Sequence, residues 1–355
     1  MNVKIKWLRN QLSSLRLDGM IISNPVNFRY LTGLDIEDAT LIIAPKENII
    51  ITDGRYVEHV NRNLTIDDEI VTYDSKNISK YDYECMFIGC TNIGIEEKYI
   101  TYETYKRYLQ MYQIELVETE GIIENQRIVK EEQEIEYIKK ACEITDQTFE
   151  YIIRNISRGM TERQIAFEIE KYMLQKGADG LAFNSIVASG RNSSMPHAEP
   201  TDRKIVSGDI IQFDIGCKYK GYTSDLSRVV FVEEISEEYK KVYEFVQEQQ
   251  RIIANLLKEG TNIKQVVKDR ETEYKLKNYE VMHSFGHGVG LEVHEIPSLK
   301  SLVDCILKEN SVITIEPGVY IPGGFGIRIE DTYHITKNNC ISLTKSTKEY
   351  TTIRI

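Results

Sequence analysis

Apolar residues near the start of the chain follow two different periods. Trp7, Leu8, Leu12 and Leu15 keep the three-to-four-residue spacing of one helix face, whereas MIIS at 20–23 and TLIIA at 40–44 are short unbroken runs of the kind that form buried strands. Together they predict a small α/β domain over roughly the first 120 residues. After the polar stretch RIVKEEQE, the residues Ile135, Ile138, Cys142, Thr145, Phe149, Ile152 and Ile156 give a long helix one apolar stripe. Thr-Glu-Arg-Gln at 161–164 fits a capping box, predicting a second helix from Thr161 to about Gln175 that stops at Gly177. Past residue 180, strand-like alternation broken by Gly and Pro takes over, and irregular backbone of this kind commonly surrounds a site. One further helix, about Glu237 to Leu257 and closed by Gly260, separates two groups of strands. The expected division is 1–125 and 126–355, in the α+β class.

Composition narrows the function. A chain of 355 residues with 41% hydrophobic and 28% charged residues can bury a sizeable core. Its net charge of −11 (44 basic against 55 acidic residues), with no basic patch, argues against nucleic acid and anionic membrane as partners. No apolar run approaches the roughly 18 residues of a spanning helix. The six cysteines show no CxxC spacing, so they are expected to be free thiols and the protein cytoplasmic.

The segment DIIQFDIGCKYKGYTSDLSRVVFV, from 209, reads as a strand, a short turn and a second strand. With the turn centred between Tyr219 and Lys220, residues whose numbers sum to 439 face each other, Asp214 and Asp225 among them. Opposed carboxylates repel and need a compensating cation, unless a bulge or plain surface exposure separates them. In SVITIEPGVY, Glu316 sits at a strand end, and in GIRIED Arg328 and Glu330 share a face opposite Ile327 and Ile329. These two segments are expected to form a hairpin. HSFGHGVGLEVHEIP concentrates His283, His287 and His294, and histidine is the commonest metal ligand. Two Asp, two Glu and one His carry four negative charges, matching two divalent cations; the oxygen-rich set suits manganese, with cobalt, zinc or iron as alternatives. A dinuclear centre of this kind activates water for hydrolysis.

Asp214 and Asp225 eleven apart, GHGVGLEVHE, EPG and RIED together resemble the pita-bread metallopeptidases, which include prolidase, aminopeptidase P and methionine aminopeptidase. The ligand spacings are most similar to the prolidase and short aminopeptidase P branch. The likeness is strong over 131–355, and NPVNFRYLTG and ITDGRY resemble that branch's amino-terminal domain. The resemblance implies a creatinase/prolidase-like first domain followed by a pita-bread catalytic domain. It implies that Asp214, Asp225, His287, Glu316 and Glu330 are metal ligands, with Glu316 also accepting a proton from the attacking water. It further implies that His197 in MPHAEP, His283 and His294 bind substrate or shuttle protons, and that Arg328 supports the site; a structural ion pair is the alternative for Arg328. The implied substrates are di- or oligopeptides cleaved before proline, and the implied assembly is a homodimer. A methionine aminopeptidase or a silent binding protein on the same fold are the alternatives. FDIG and DLSR depart from the family pattern, the latter with serine for threonine, and neither is expected to touch a ligand.

Overall fold

The structure, a computed structural model, describes residues 3–64, 70–111 and 114–355, in two units that divide between Gln126 and Arg127. In the first unit the two apolar runs form adjacent strands, Gly19–Ile22 and Ala39–Ile43, paired antiparallel with Met20 opposite Ile43. They are central in a mixed six-stranded sheet whose spatial order is Ile70–Asp74, Asn48–Thr52, Ala39–Ile43, Gly19–Ile22, Asn92–Ile95 and Glu115–Glu118. The helix Val3–Ser14 buries Ile5, Leu8 and Leu12. Trp7 is only half-buried, and Leu15 is exposed because the helix ends at Ser14 and the chain turns through Arg16 at φ 58°. In NPVNFRYLTG, Asn24 caps the helix Pro25–Thr32 and Gly33, at φ 75°, closes it. The buried Glu96 carboxylate accepts the N–H groups of Ser23 and Asn24 at that helix's start.

In the second unit the predicted helices appear as Glu132–Asn155, Glu162–Gln175 and Glu237–Leu256. A fourth, Ile263–Leu276, was not anticipated: only Ile263, Val266, Val267 and Tyr274 are buried along it, so its apolar stripe is too sparse to stand out among its charges. The first two helices and one face of the strands Ile210–Ile215 and Leu226–Val232 enclose one apolar core. The other two helices cover a second core that includes Ile313, Ile315, Ile327 and Ile329. Helix Glu132–Asn155 meets two separate segments. Glu134 accepts from the Tyr222 hydroxyl, Thr145 pairs with the Ser224 hydroxyl, and Asp146 accepts the N–H groups of Lys345 and Ser346. Among the described residues no helix is long and apolar enough to cross a membrane.

The first hairpin forms with a register two residues away from the expected one. Tyr219 pairs with Tyr222, so the turn is Lys220-Gly221, both at positive φ (51° and 81°), as in the type I′ turns that match strand twist. Lysine rarely adopts that conformation, and centring the turn one residue early moves every pair by two. Asp214 consequently faces Ser227, not Asp225, and Asp225 precedes the strand on the diagonal. At Gly216 the hairpin passes into a small three-stranded sheet, and a Cβ there would lie 2.2 Å from the Ser224 carbonyl oxygen. The second hairpin also changes sheets part-way. Val312–Ile315 pairs with Asp331–Ile335, and Gly318–Tyr320 with Gly326–Arg328; in both ladders partner numbers sum to 646, a register that sets Glu316 opposite Glu330. Pro317, with no N–H to donate, lies at the interruption.

Candidate metal centre

Strand alternation decides what the two hairpins present between the cores. Ile211, Phe213 and Ile215 enter the first core, which turns Asp214 to the opposite face; Leu226 and Val230 do the same for Asp225 and Ser227. On the second hairpin Ile313, Ile315, Ile327 and Ile329 enter the second core, leaving Thr314, Glu316, Arg328 and Glu330 on the other side. The hairpins meet where the Glu330 N–H donates to the Ser227 carbonyl at 3.0 Å. His287 arrives on a two-residue strand beside Val312–Ile315. Its approach depends on Gly286, where a Cβ would stand 2.1 Å from the Thr314 carbonyl oxygen.

One oxygen or nitrogen from each of Asp225, His287 and Glu330 lies within 4.8 Å of the others. His287 Nε2 is 3.7 Å from Asp225 Oδ2 and 3.5 Å from Glu316 Oε1, and His283 Nδ1 is 3.6 Å from Glu316 Oε2. Asp214 adjoins Asp225 and Glu330 closely enough to repel both. Burial first, and then repulsion from Glu330, pushes Asp225 and Glu316 well above the usual carboxylate range. Burial, with repulsion from Asp214, takes Glu330 to about 8. Burial and the neighbouring His294 hold His287 down at about 4, so its ring is neutral. With Nδ1 3.1 Å from the Gly288 carbonyl, the ring proton is assigned there, and the Nε2 lone pair faces two carboxylates. Asp214 Oδ1, Asp225 Oδ1 and Glu330 Oε1 are buried with no hydrogen-bond donor. Lone pairs converging on carboxylates without a donor are costly unless a cation lies among them, so this set fits hard or borderline divalent ions.

Arg328 ties the centre to its surroundings. Its guanidinium donates to Asp214 Oδ2 at 2.6 Å, to Ser227 Oγ at 2.8 Å, to the Pro196 carbonyl at 3.3 Å and to the Tyr320 hydroxyl. The contact with Asp214 is an ion pair of the kind the structural alternative for Arg328 expects. Ser227 Oγ in turn donates to Glu330 Oε2 at 2.9 Å, so the serine in DLSR does touch a candidate ligand, contrary to expectation. The backbone bridge that pairs Ser227 with Glu330, where the two hairpins meet, explains the contact. Tyr320, which sequence reasoning passed over, lies 2.9 Å from His283 Nε2, while His283 Nδ1 faces the Ser284 carbonyl. Its one sequence signal was its position at the end of EPGVY, four residues after Glu316. His197 and His294 stay outside the cluster and are exposed. The His294 ring stands edge-on to His287 at 4.4 Å, and His197 lies within electrostatic reach of His283 and His294.

Residues 136–337 match the metallopeptidase family M24 and residues 4–129 match the creatinase/prolidase N-terminal domain. The chain belongs to metallopeptidase family M24. An M24 relative, the Xaa-Pro dipeptidase of Pyrococcus horikoshii, is 34% identical over 98% of this chain and 99% of its own length. The solved Xaa-Pro dipeptidase from Bacillus anthracis is 34% identical, with a TM-score of 0.92 over 99% of both chains. The X-Pro aminopeptidase from Thermotoga maritima is 31% identical, with a TM-score of 0.90 over 98% of this chain and 99% of that one. As an M24 member the protein is a metal-dependent peptidase, with a creatinase-type amino-terminal domain followed by a pita-bread catalytic domain.

Proposed function

We propose that this enzyme hydrolyses the peptide bond on the amino side of proline, with two divalent cations, manganese foremost, held by Asp214, Asp225, His287, Glu316 and Glu330. The observation that carries this reading is the buried cluster in which three donor-less carboxylate oxygens and the His287 lone pair converge. Relatives named Xaa-Pro dipeptidase and X-Pro aminopeptidase, similar along nearly the whole chain, support proline as the specificity determinant. When bound, such cations lower the pKa of a water and polarise a carbonyl. Glu316, against His283 and His287, accepts the proton of the attacking water. Arg328 pairs with Asp214 and orients it, and Tyr320 fixes the neutral ring of His283. His197 and His294, exposed beside the cluster, meet the substrate. Because the nitrogen of the bond before proline carries no hydrogen, recognition there is by the fit of the ring and of the trans isomer. A cytoplasmic homodimer completes the reading; the free cysteines suit a reducing compartment, and the dimer rests on the family resemblance.

The test is hydrolysis of matched Xaa-Pro, Xaa-Pro-Yaa and Met-Ala-Yaa peptides by protein stripped with chelator and then re-supplied with Mn²⁺. Cleavage before proline, restored by metal, is the expected result, and the dipeptide-to-tripeptide ratio separates prolidase from aminopeptidase P. Release of Met from Met-Ala-Yaa alone, or no turnover by protein holding two metals per chain, would refute it.

A further inference from the structure

Thr161 and Gln164 of the TERQ motif cap the helix they begin, but the residue between them that opens the helix, Glu162, takes no part in that cap. Glu162 is fully buried. Its Oε1 accepts the Ser189 N–H and hydroxyl, both at 2.6 Å, and its Oε2 accepts the Thr201 N–H at 3.0 Å and hydroxyl at 2.6 Å. The Asn192 amide donates to both oxygens at 3.1 Å. One carboxylate therefore ties together the two ends and the interior of the segment 189–201. The far side of the same segment reaches the candidate centre, where Ser193 Oγ accepts the Gly326 N–H and the Pro196 carbonyl accepts from Arg328. His197 follows Pro196 directly.

We propose that Glu162 is a positioning residue for His197: it closes segment 189–201 into a fixed loop so that this exposed imidazole is presented beside His283 and His294. The proposal rests on the reading above, in which His197 meets the substrate. Among the groups facing Glu162 within the segment, the Ser189 and Thr201 N–H groups and the Asn192 amide nitrogen can only donate, so an amide in its place keeps one acceptor and sets its own N–H groups against one of those backbone donors, releasing one end of the loop.

The test is a double-mutant cycle with Glu162→Gln and His197→Ala on the metal-loaded enzyme. Glu162→Gln is expected to lower kcat/KM by roughly 10- to 100-fold at unchanged metal content, with the same split between kcat and KM as His197→Ala. The double variant is expected to be no worse than the poorer single one, since once the imidazole is gone its placement no longer matters. Losses that multiply would overturn the proposal. Trypsin cleavage after Arg191, which is exposed within the loop, is expected to accelerate in Glu162→Gln, and an unchanged rate would also overturn it. Should that variant fail to fold, Asn192→Ala removes only the middle tie and is expected to show the same non-multiplying pattern at smaller amplitude. Wild-type protein inactive on every Xaa-Pro peptide would instead defeat the functional reading, with the trypsin rates still reporting on the clamp.

Discussion

Glu330 is buried against Asp214 and Asp225, and Ser227 donates to it. In metal-free protein its pKa is about 8, against 4.5 for a free glutamate, so the folded state binds more protons than the unfolded between those values and stability falls as pH rises through them. Asp225 and Glu316, also raised, act in the same sense, as does Glu96 at about 7. His283 and His287, held at about 4 against 6.5, act in the opposite sense, but only below pH 6.5. Between pH 6.5 and 8 the carboxylates therefore act alone. Chelator-treated protein is expected to lose stability steadily across that range, read as a falling urea midpoint that bound metal abolishes. For the same reason Glu330→Gln is expected to raise the midpoint of stripped protein at pH 8. It should also cost more activity than the roughly 10- to 100-fold of an outer-shell change; a lowered midpoint would show that repulsion does not dominate the cluster. Asp214, Glu316 and Glu330 stood out as acidic residues next to isoleucines in strands, and the histidines by their concentration within one glycine-rich stretch. Ser227, Tyr320 and Glu162 did not, since a serine, a tyrosine or a helix-opening glutamate gains its role only from the segment that folds opposite it.

At the scale of elements, each hairpin changes sheets where it carries carboxylates, at Asp214 to Asp225 in one and at Glu316 and Glu330 in the other. Alternation gave the facing of these side chains correctly, whereas the register of the first hairpin depended on a turn that the sequence disguises. Lys220 occupies a left-handed position that Asn favours, and Lys220→Asn is expected to stabilise the protein by about 0.5–1 kcal/mol. The check is the urea midpoint at unchanged activity, and a loss of stability would mean that the lysine side chain makes a compensating contact. Helix Ile263–Leu276 escaped notice for a different reason: its four buried positions are too few to impose a period on a run rich in charge.

For the molecule as a whole, ions that bind the folded centre and not the unfolded chain add stability by mass action, about 2.7 kcal/mol at a hundred times Kd. Removal of metal is therefore expected to lower Tm, and titration with Mn²⁺ to restore it progressively; a Tm indifferent to both would speak against a buried, folding-coupled site. Helix Glu132–Asn155 links distant parts of the catalytic unit, with Glu134 under the first hairpin's tip, Thr145 beside Ser224 and Asp146 on the carboxy-terminal segment. Since each residue advances a helix by about 100°, inserting or deleting one between Glu134 and Asp146 would swing one set of contacts a quarter-turn or more out of line. Its exposed positions are free to vary in identity over evolutionary time, but this stretch of the chain has a fixed length, and indels should collect in the loops.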